Sequence, residues 1–127
     1  MIASEDASGY AYEVLAARDE GAARKRAVAL AATHRARAQR WAEVVEVEGT
    51  AQDPREVAYG LTNVDDTAVV GIDLESSLAA TYSTLVGQAT AVERATLVDL
   101  LAESARAAEA WGAPAAAFPG MPERAAD

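Results

Sequence analysis

Residues 1–16, MIASEDASGYAYEVLA, and residues 71–86, GIDLESSLAATYSTLV, are the two stretches whose comparison decides the fold. Glu5, Tyr12 and Leu15 of the first return in the second as Glu75, Tyr82 and Leu85, each displaced by 70 residues. The same displacement carries Val28, Leu30 and Trp41 onto Val98, Leu100 and Trp111, and Ile2, Arg24, Ala32 and Ala38 onto Ile72, Arg94, Ala102 and Ala108. About ten of roughly forty aligned positions are identical, and self-similarity at a fixed period signals repeated architecture. Alanine inflates such a count, but the Glu, Tyr and Trp matches do not depend on it. The chain reads as two copies of one helical hairpin.

Four alanine-rich segments, at roughly 3–20, 22–46, 66–89 and 91–111, carry helical periodicity with no alternating strand pattern to compete with them, so the expected class is all-α. Gly21 and the Thr90 region mark the short turns inside the hairpins. Asp65 and Asp66 offer a cap and a first-turn acid to the third helix, and Gly112 followed by Pro114 closes the fourth. Between the hairpins, Glu48 to Val64 contains Gly49, Asp53-Pro54, Gly60 and Asn63, turn chemistry spread too widely for a tight connection, and it reads as a crossover. An antiparallel four-helix bundle with two short turns and one long crossover is the ferritin-like topology. The expectation is one domain over 1–127 with an irregular tail, 113–127, in which Pro114, Pro119, Gly120 and Pro122 stop the helix and Phe118 or Met121 packs over one end.

Composition narrows the function classes. Zero cysteines remove disulfides, thiolate metal sites and a cysteine nucleophile, leaving histidine and carboxylates as the only metal ligands. A net charge of −9 speaks against general nucleic-acid binding, which draws its affinity from Lys and Arg. The basic residues still cluster: Arg24, Lys25, Arg26, Arg35, Arg37 and Arg40 share one segment, read as a solvated face paired with acidic neighbours, with a patch for an acidic partner as the alternative. The first twelve residues lack a basic start and an apolar run, and no stretch has the apolarity of a membrane span, so a soluble, cytoplasmic protein without membrane contact is expected.

The seams carry the candidate site. At the three-and-four spacing of a core-facing stripe, the first helix aligns Ile2, Glu5, Gly9, Tyr12 and Ala16, and the third aligns Ile72, Glu75, Ala79, Tyr82 and Val86. The second aligns Ala27, Ala31, His34, Ala38 and Trp41, and the fourth Leu97, Leu101, Ser104, Ala108 and Trp111. Each of the first pair of stripes holds one glutamate followed two turns later by a tyrosine, about 10 Å along the axis. The chain's one histidine falls on an inward seam. A buried histidine bonded to Glu5, Glu75 or a tyrosine hydroxyl is the plain structural reading, and Glu5, in a first turn, is also favoured there by the helix dipole.

Glu5 to Tyr12, Thr33-His34-Arg35-Ala36-Arg37, Ala58-Tyr59-Gly60-Leu61 ahead of Asp65, and Ala110-Trp111-Gly112 with Phe118-Pro119-Gly120 occur in an order and spacing that resemble a ferritin-like family found mainly in actinobacteria. The resemblance covers nearly the whole chain and brings no activity with it. In ferritin-like carboxylate proteins, one Glu from each of two helices and a Glu-x-x-His pair from each of the other two hold two metals. The resemblance therefore implies Glu5, His34 and Glu75 as surviving ligand positions, while Ala31, Leu101 and Ser104 stand where the other ligands belong.

The expected function is a non-catalytic structural or interaction module with a degraded di-metal site and no resident cofactor, whose flat alanine-rich helix faces suit pairing as a homodimer. The alternative is one Fe or Mn held by Glu5, His34, Glu75 and Glu103, with Tyr12 and Tyr82 hydrogen-bonded behind them, an oxygen-and-imidazole donor set suited to those ions and to oxidoreductase chemistry. That alternative requires a small rotation of the fourth helix to turn Glu103 inward. No phosphate-binding glycine loop or serine nucleophile elbow is present.

Overall fold

A computed structural model describes residues 1–61 and 64–121. Four helices run in the order α1 (Ile2–Arg18), α2 (Gly21–Val44), α3 (Thr67–Gln88) and α4 (Ala91–Trp111), with no strand among the described residues. The protein is all-α. Among the described residues no helix is long and apolar enough to cross a membrane. Asn63, Pro122 and the last residues of the tail, read above as turn chemistry, lie outside the described residues.

The chain divides into two compact units, Met1–Thr67 and Ala68–Asp127. In the first, α1 packs on α2. Most of the expected stripes are buried, Glu5, Gly9, Tyr12 and Ala16 from α1 and Ala27, Ala31, His34 and Ala38 from α2, whereas Ile2 and Trp41 at the stripe ends are half-buried. Leu15 and Ala11 widen the apolar face of α1, and the small side chains of α2 let the two backbones approach closely. In the second unit Glu75, Ala79 and Tyr82 of α3, and Leu97, Ser104, Ala108 and Trp111 of α4, are buried in the same register. The face of the Trp111 indole lies directly on Gly71, so α3 and α4 also meet as a hairpin.

The repeat extends to the helix ends. α2 begins at Gly21 and α4 at Ala91, again 70 residues apart. Gly21, read as a turn residue, opens α2 with a left-handed φ of +59° that a side chain would strain. At the equivalent corner the chain uses a different device: the Glu93 carboxylate accepts from both the backbone N–H and the hydroxyl of Thr90, one half of a capping box, which holds the Glu93 carboxyl below its ordinary range. Both second helices end in Schellman closures. Val47 N–H donates to Ala42 O and Glu46 N–H to Glu43 O at the end of α2, as Ala113 N–H does to Ala108 O and Gly112 N–H to Glu109 O at the end of α4. Gly112 supplies the left-handed residue of α4 (φ +112°), whereas α2 uses Glu46 (φ +57°).

The crossover is irregular, as expected, and it is tied down by polar contacts. Arg55 clasps the Asp53 carboxylate through Nε and Nη2 and donates from Nη1 to Gln39 Oε1 at 2.6 Å, fastening the crossover to α2. The Arg55 guanidinium holds the Asp53 carboxyl down to about 2. Asp65 accepts from Arg18 Nη2 at 3.4 Å on the exposed surface of the first unit.

Candidate functional site

Of the sequence-derived candidates, the first unit brings Glu5 and His34 together. Glu5 occupies the first turn of α1 and His34 the middle of α2, and His34 Nδ1 lies 2.6 Å from Glu5 Oε2 with both side chains 0 % exposed. Read with the proton on Nδ1, the imidazole donates to the carboxylate; a separation this short marks a charge-assisted bond. Tyr12, one stripe position beyond Gly9, lays its ring flat on the imidazole, with centroids 5.5 Å apart and planes 9° from parallel. Arg37 stands one turn beyond His34 and places Nη1 3.9 Å from Glu5 Oε1. Glu5 is thus one of the partners expected for His34.

Glu75 and Tyr82 belong to the second unit, where both are buried. Ser104, at the position equivalent to His34, is also buried, and its Oγ has no hydrogen-bond partner among the described residues. Glu103 lies on the exposed face of α4, as does Asp99. Within each unit, and among the described residues, no three His, Cys, Asp or Glu side chains are placed to hold a metal ion.

A second polar cluster, which the seam reading missed, lies beside the first. Asp6 is 4 % exposed and accepts from Arg35 Nη1 at 2.6 Å and from the Tyr59 hydroxyl at 2.8 Å. Arg35 also grips Glu13, one α1 stripe further on, through Nε at 3.0 Å and Nη2 at 2.8 Å. The bidentate contact lowers the Glu13 carboxyl and raises the Arg35 guanidinium from their ordinary values. The Tyr59 phenol, raised chiefly by burial, also accepts from the Glu56 backbone N–H and sets its ring 5.8 Å from that of Tyr10. Arg35 and Arg37, read as part of a solvated basic face, thus turn toward α1, whereas Arg24, Lys25, Arg26 and Arg40 remain exposed.

The signal for this cluster was Gly9. A Cβ there would stand 2.9 Å from Arg35 Cδ, so the glycine makes room for the arginine stem to cross α1. Tyr59→Phe is expected to cost about 1–2 kcal/mol, because it removes one hydrogen bond to a carboxylate and one acceptor for a backbone N–H. Denaturant unfolding measures the loss, and limited proteolysis within 48–60 should quicken in the same variant. An unchanged midpoint would mean that the Tyr59 contacts of the crossover add nothing to stability.

Residues 1–123 match the family model described as a domain of unknown function (DUF4439). No curated protein and no solved structure matches the chain.

Proposed function

The chain belongs to the DUF4439 family, a domain of unknown function, and from that premise we propose that it is a non-catalytic structural or interaction module: a ferritin-like four-helix bundle in which a former metal-binding seam now serves as an internal brace. The observation that carries this reading is the direct 2.6 Å contact between His34 Nδ1 and Glu5 Oε2 in a fully buried setting. Two ligands bound to one ion at about 2.0–2.2 Å, at angles near tetrahedral or octahedral, stand about 3 Å or more from one another. The two atoms here are at hydrogen-bonding distance, so His34 Nδ1 and Glu5 Oε2 are engaged with each other and do not chelate one ion together. Ala31 at the glutamate position of the Glu-x-x-His motif removes the carboxylate that should flank His34 on its own helix. The donor set of the first unit therefore does not fit the group that the resemblance implies, and no chemical step is assigned to it.

The brace has a clear physical role. Glu5 holds the N-terminal turn of α1, where a carboxylate is favoured by the helix dipole, against the centre of α2, and Tyr12 fixes the imidazole plane from the other side. An interaction module needs a rigid frame of this kind more than it needs a reactive group.

The rival reading is a single Fe or Mn taken up at the Glu5–His34 pair. Elemental analysis of protein purified without chelator or affinity tag, beside the His34→Ala variant, separates the two. The brace reading expects sub-stoichiometric metal in both and no change in melting temperature on adding Mn or Fe, since only a ligand of the folded state raises stability. Near-stoichiometric Fe or Mn in the parent chain, absent from the variant, would overturn it. Sedimentation of the same samples tests pairing of two copies through the alanine-rich faces: the expected result is a mass that rises with concentration.

A further inference from the structure

The two repeats treat one groove differently. In the first unit, Asp6, Gly9 and Tyr10 of α1 face Arg35 and Gln39 of α2, and the space beside them is filled. Arg35 crosses over Gly9 to Asp6, the Tyr59 ring lies against Tyr10 with its hydroxyl on Asp6, and the Arg55 guanidinium rests on Gln39. An aromatic ring and a cation, both delivered by the crossover, thus occupy the outer groove of that hairpin. Displaced by 70 residues, the same positions in the second unit are Ser76, Ala79, Ala80, Ala105 and Glu109.

There the groove is open. A cavity of about 300 Å³ lies between α3 and α4, walled by Ser76, Ala79, Ala80, Ala105, Ala108 and Glu109 and roofed by the tail between Pro114 and Gly120. That volume is at the lower end of the range for small-molecule sites. Alanine at 105 in place of the arginine at 35 removes the side chain that fills the equivalent space, and among the described residues of the tail none in the lining is a counterpart to Tyr59 or Arg55. The roof is fixed by contact: Gly120, at φ +74°, sits so close to Ala79 O that a Cβ would come within 2.4 Å of it.

The polar groups that remain select one kind of occupant. Among the described residues Glu109 is the only charged one in the lining, and it stands where Gln39 receives the Arg55 guanidinium. It lies near the C-terminal end of α4, whose last turn contains no basic residue to balance the negative end of the helix dipole. Ser76 offers a hydroxyl where Asp6 receives the Tyr59 phenol, and Phe118, half exposed, gives the roof an aromatic face. We propose that the α3–α4 cavity is a binding site for a small aromatic cation, an arylalkyl amine or guanidine whose ring fills the alanine-walled groove and whose charge meets Glu109, in the manner in which Tyr59 and Arg55 fill the first hairpin. This site lies wholly within Ala68–Asp127 and does not depend on the brace reading of Glu5 and His34.

Three isosteric probes test it on the full chain: tyramine, its neutral alcohol analogue tyrosol, and the anion 4-hydroxyphenylacetate. Titration at millimolar concentration is followed by backbone amide chemical shifts. The expected result is saturable binding of tyramine with shifts at Ala79, Ala105, Ala113 and Gly120, at least tenfold weaker binding of tyrosol, and none of the anion. Glu109→Lys alters an exposed position and leaves the fold intact; it is expected to weaken tyramine at least tenfold. Tyrosol binding as tightly as tyramine, tyramine indifferent to Glu109→Lys, shifts confined to residues elsewhere, or no saturable binding would each overturn the proposal.

Discussion

His34→Ala is expected to lower the unfolding free energy by about 3–5 kcal/mol, the combined cost of leaving a buried carboxylate without this partner and of the void left by the ring. Glu5 is fully buried and accepts from His34 at 2.6 Å. Truncation at 34 leaves a carboxylate without its short partner in a region of low dielectric, and Arg37 at 3.9 Å is too far from Glu5 to replace a hydrogen bond. The same truncation removes the ring that stacks on Tyr12, so a void is added to the electrostatic loss. Against a typical total of about 5–15 kcal/mol, the variant should unfold at much lower denaturant concentration. The double variant Glu5→Leu/His34→Leu separates the terms: with both polar groups gone, most of the loss should be recovered, because an apolar pair of similar volume matches or exceeds a buried ion pair. Denaturant titration of all three proteins measures the loss and how much of it the double variant recovers. A loss below about 1 kcal/mol in His34→Ala would mean that Glu5 is not held by this bond, and would remove the basis of the brace.

The parts of this fold that repeat were legible, and the parts that do not repeat were not. The stripes through Glu5, Gly9, Tyr12 and Ala16, and through His34 and Ala38, were found from spacing alone, since the three-and-four period places those residues on one face whatever surrounds them. Glu75, Tyr82, Ser104 and Ala108 followed from the displacement of 70, and all are buried. The Asp6–Arg35–Tyr59 cluster escaped for a physical reason. Its members have no counterparts at the displaced positions, where Ser76 and Ala105 stand, and Tyr59 reaches Asp6 only because the crossover folds back over 53 residues of sequence. Periodicity within a helix carries no information about where an irregular segment returns. The rotation invoked to bring Glu103 inward had no such support either: Ser104 holds the inward position, and the adjacent residue, about 100° around the helix, faces solvent. The Thr90–Glu93 cap is legible in the sequence as a Thr-x-x-Glu signature ahead of α4.

Gly71 gives the second large effect, and it follows from a close approach rather than from charge. Gly71→Ala is expected to destabilise the chain by about 2 kcal/mol net, although alanine at an ordinary helical position gains about 1 kcal/mol over glycine. A Cβ at 71 would lie 2.6 Å from two carbons of the Trp111 indole and 2.7 Å from a third, a separation no rotamer of alanine can relieve. The indole must leave its place, and because Trp111 is the last residue of α4 and 7 % exposed, the way out leads toward water. The analogous change at Gly9 meets only the stem of Arg35, a flexible side chain that can bend aside at the cost of its hydrogen bonds. Fluorescence distinguishes the two outcomes at 71 in a Trp41→Phe background, which leaves Trp111 as the one reporter. The expected emission shifts to the red as the midpoint of unfolding falls. A midpoint that rises with unchanged emission would show that α3 and α4 separate to admit the methyl group, and that the contact of Trp111 with Gly71 does not set the spacing of the second hairpin.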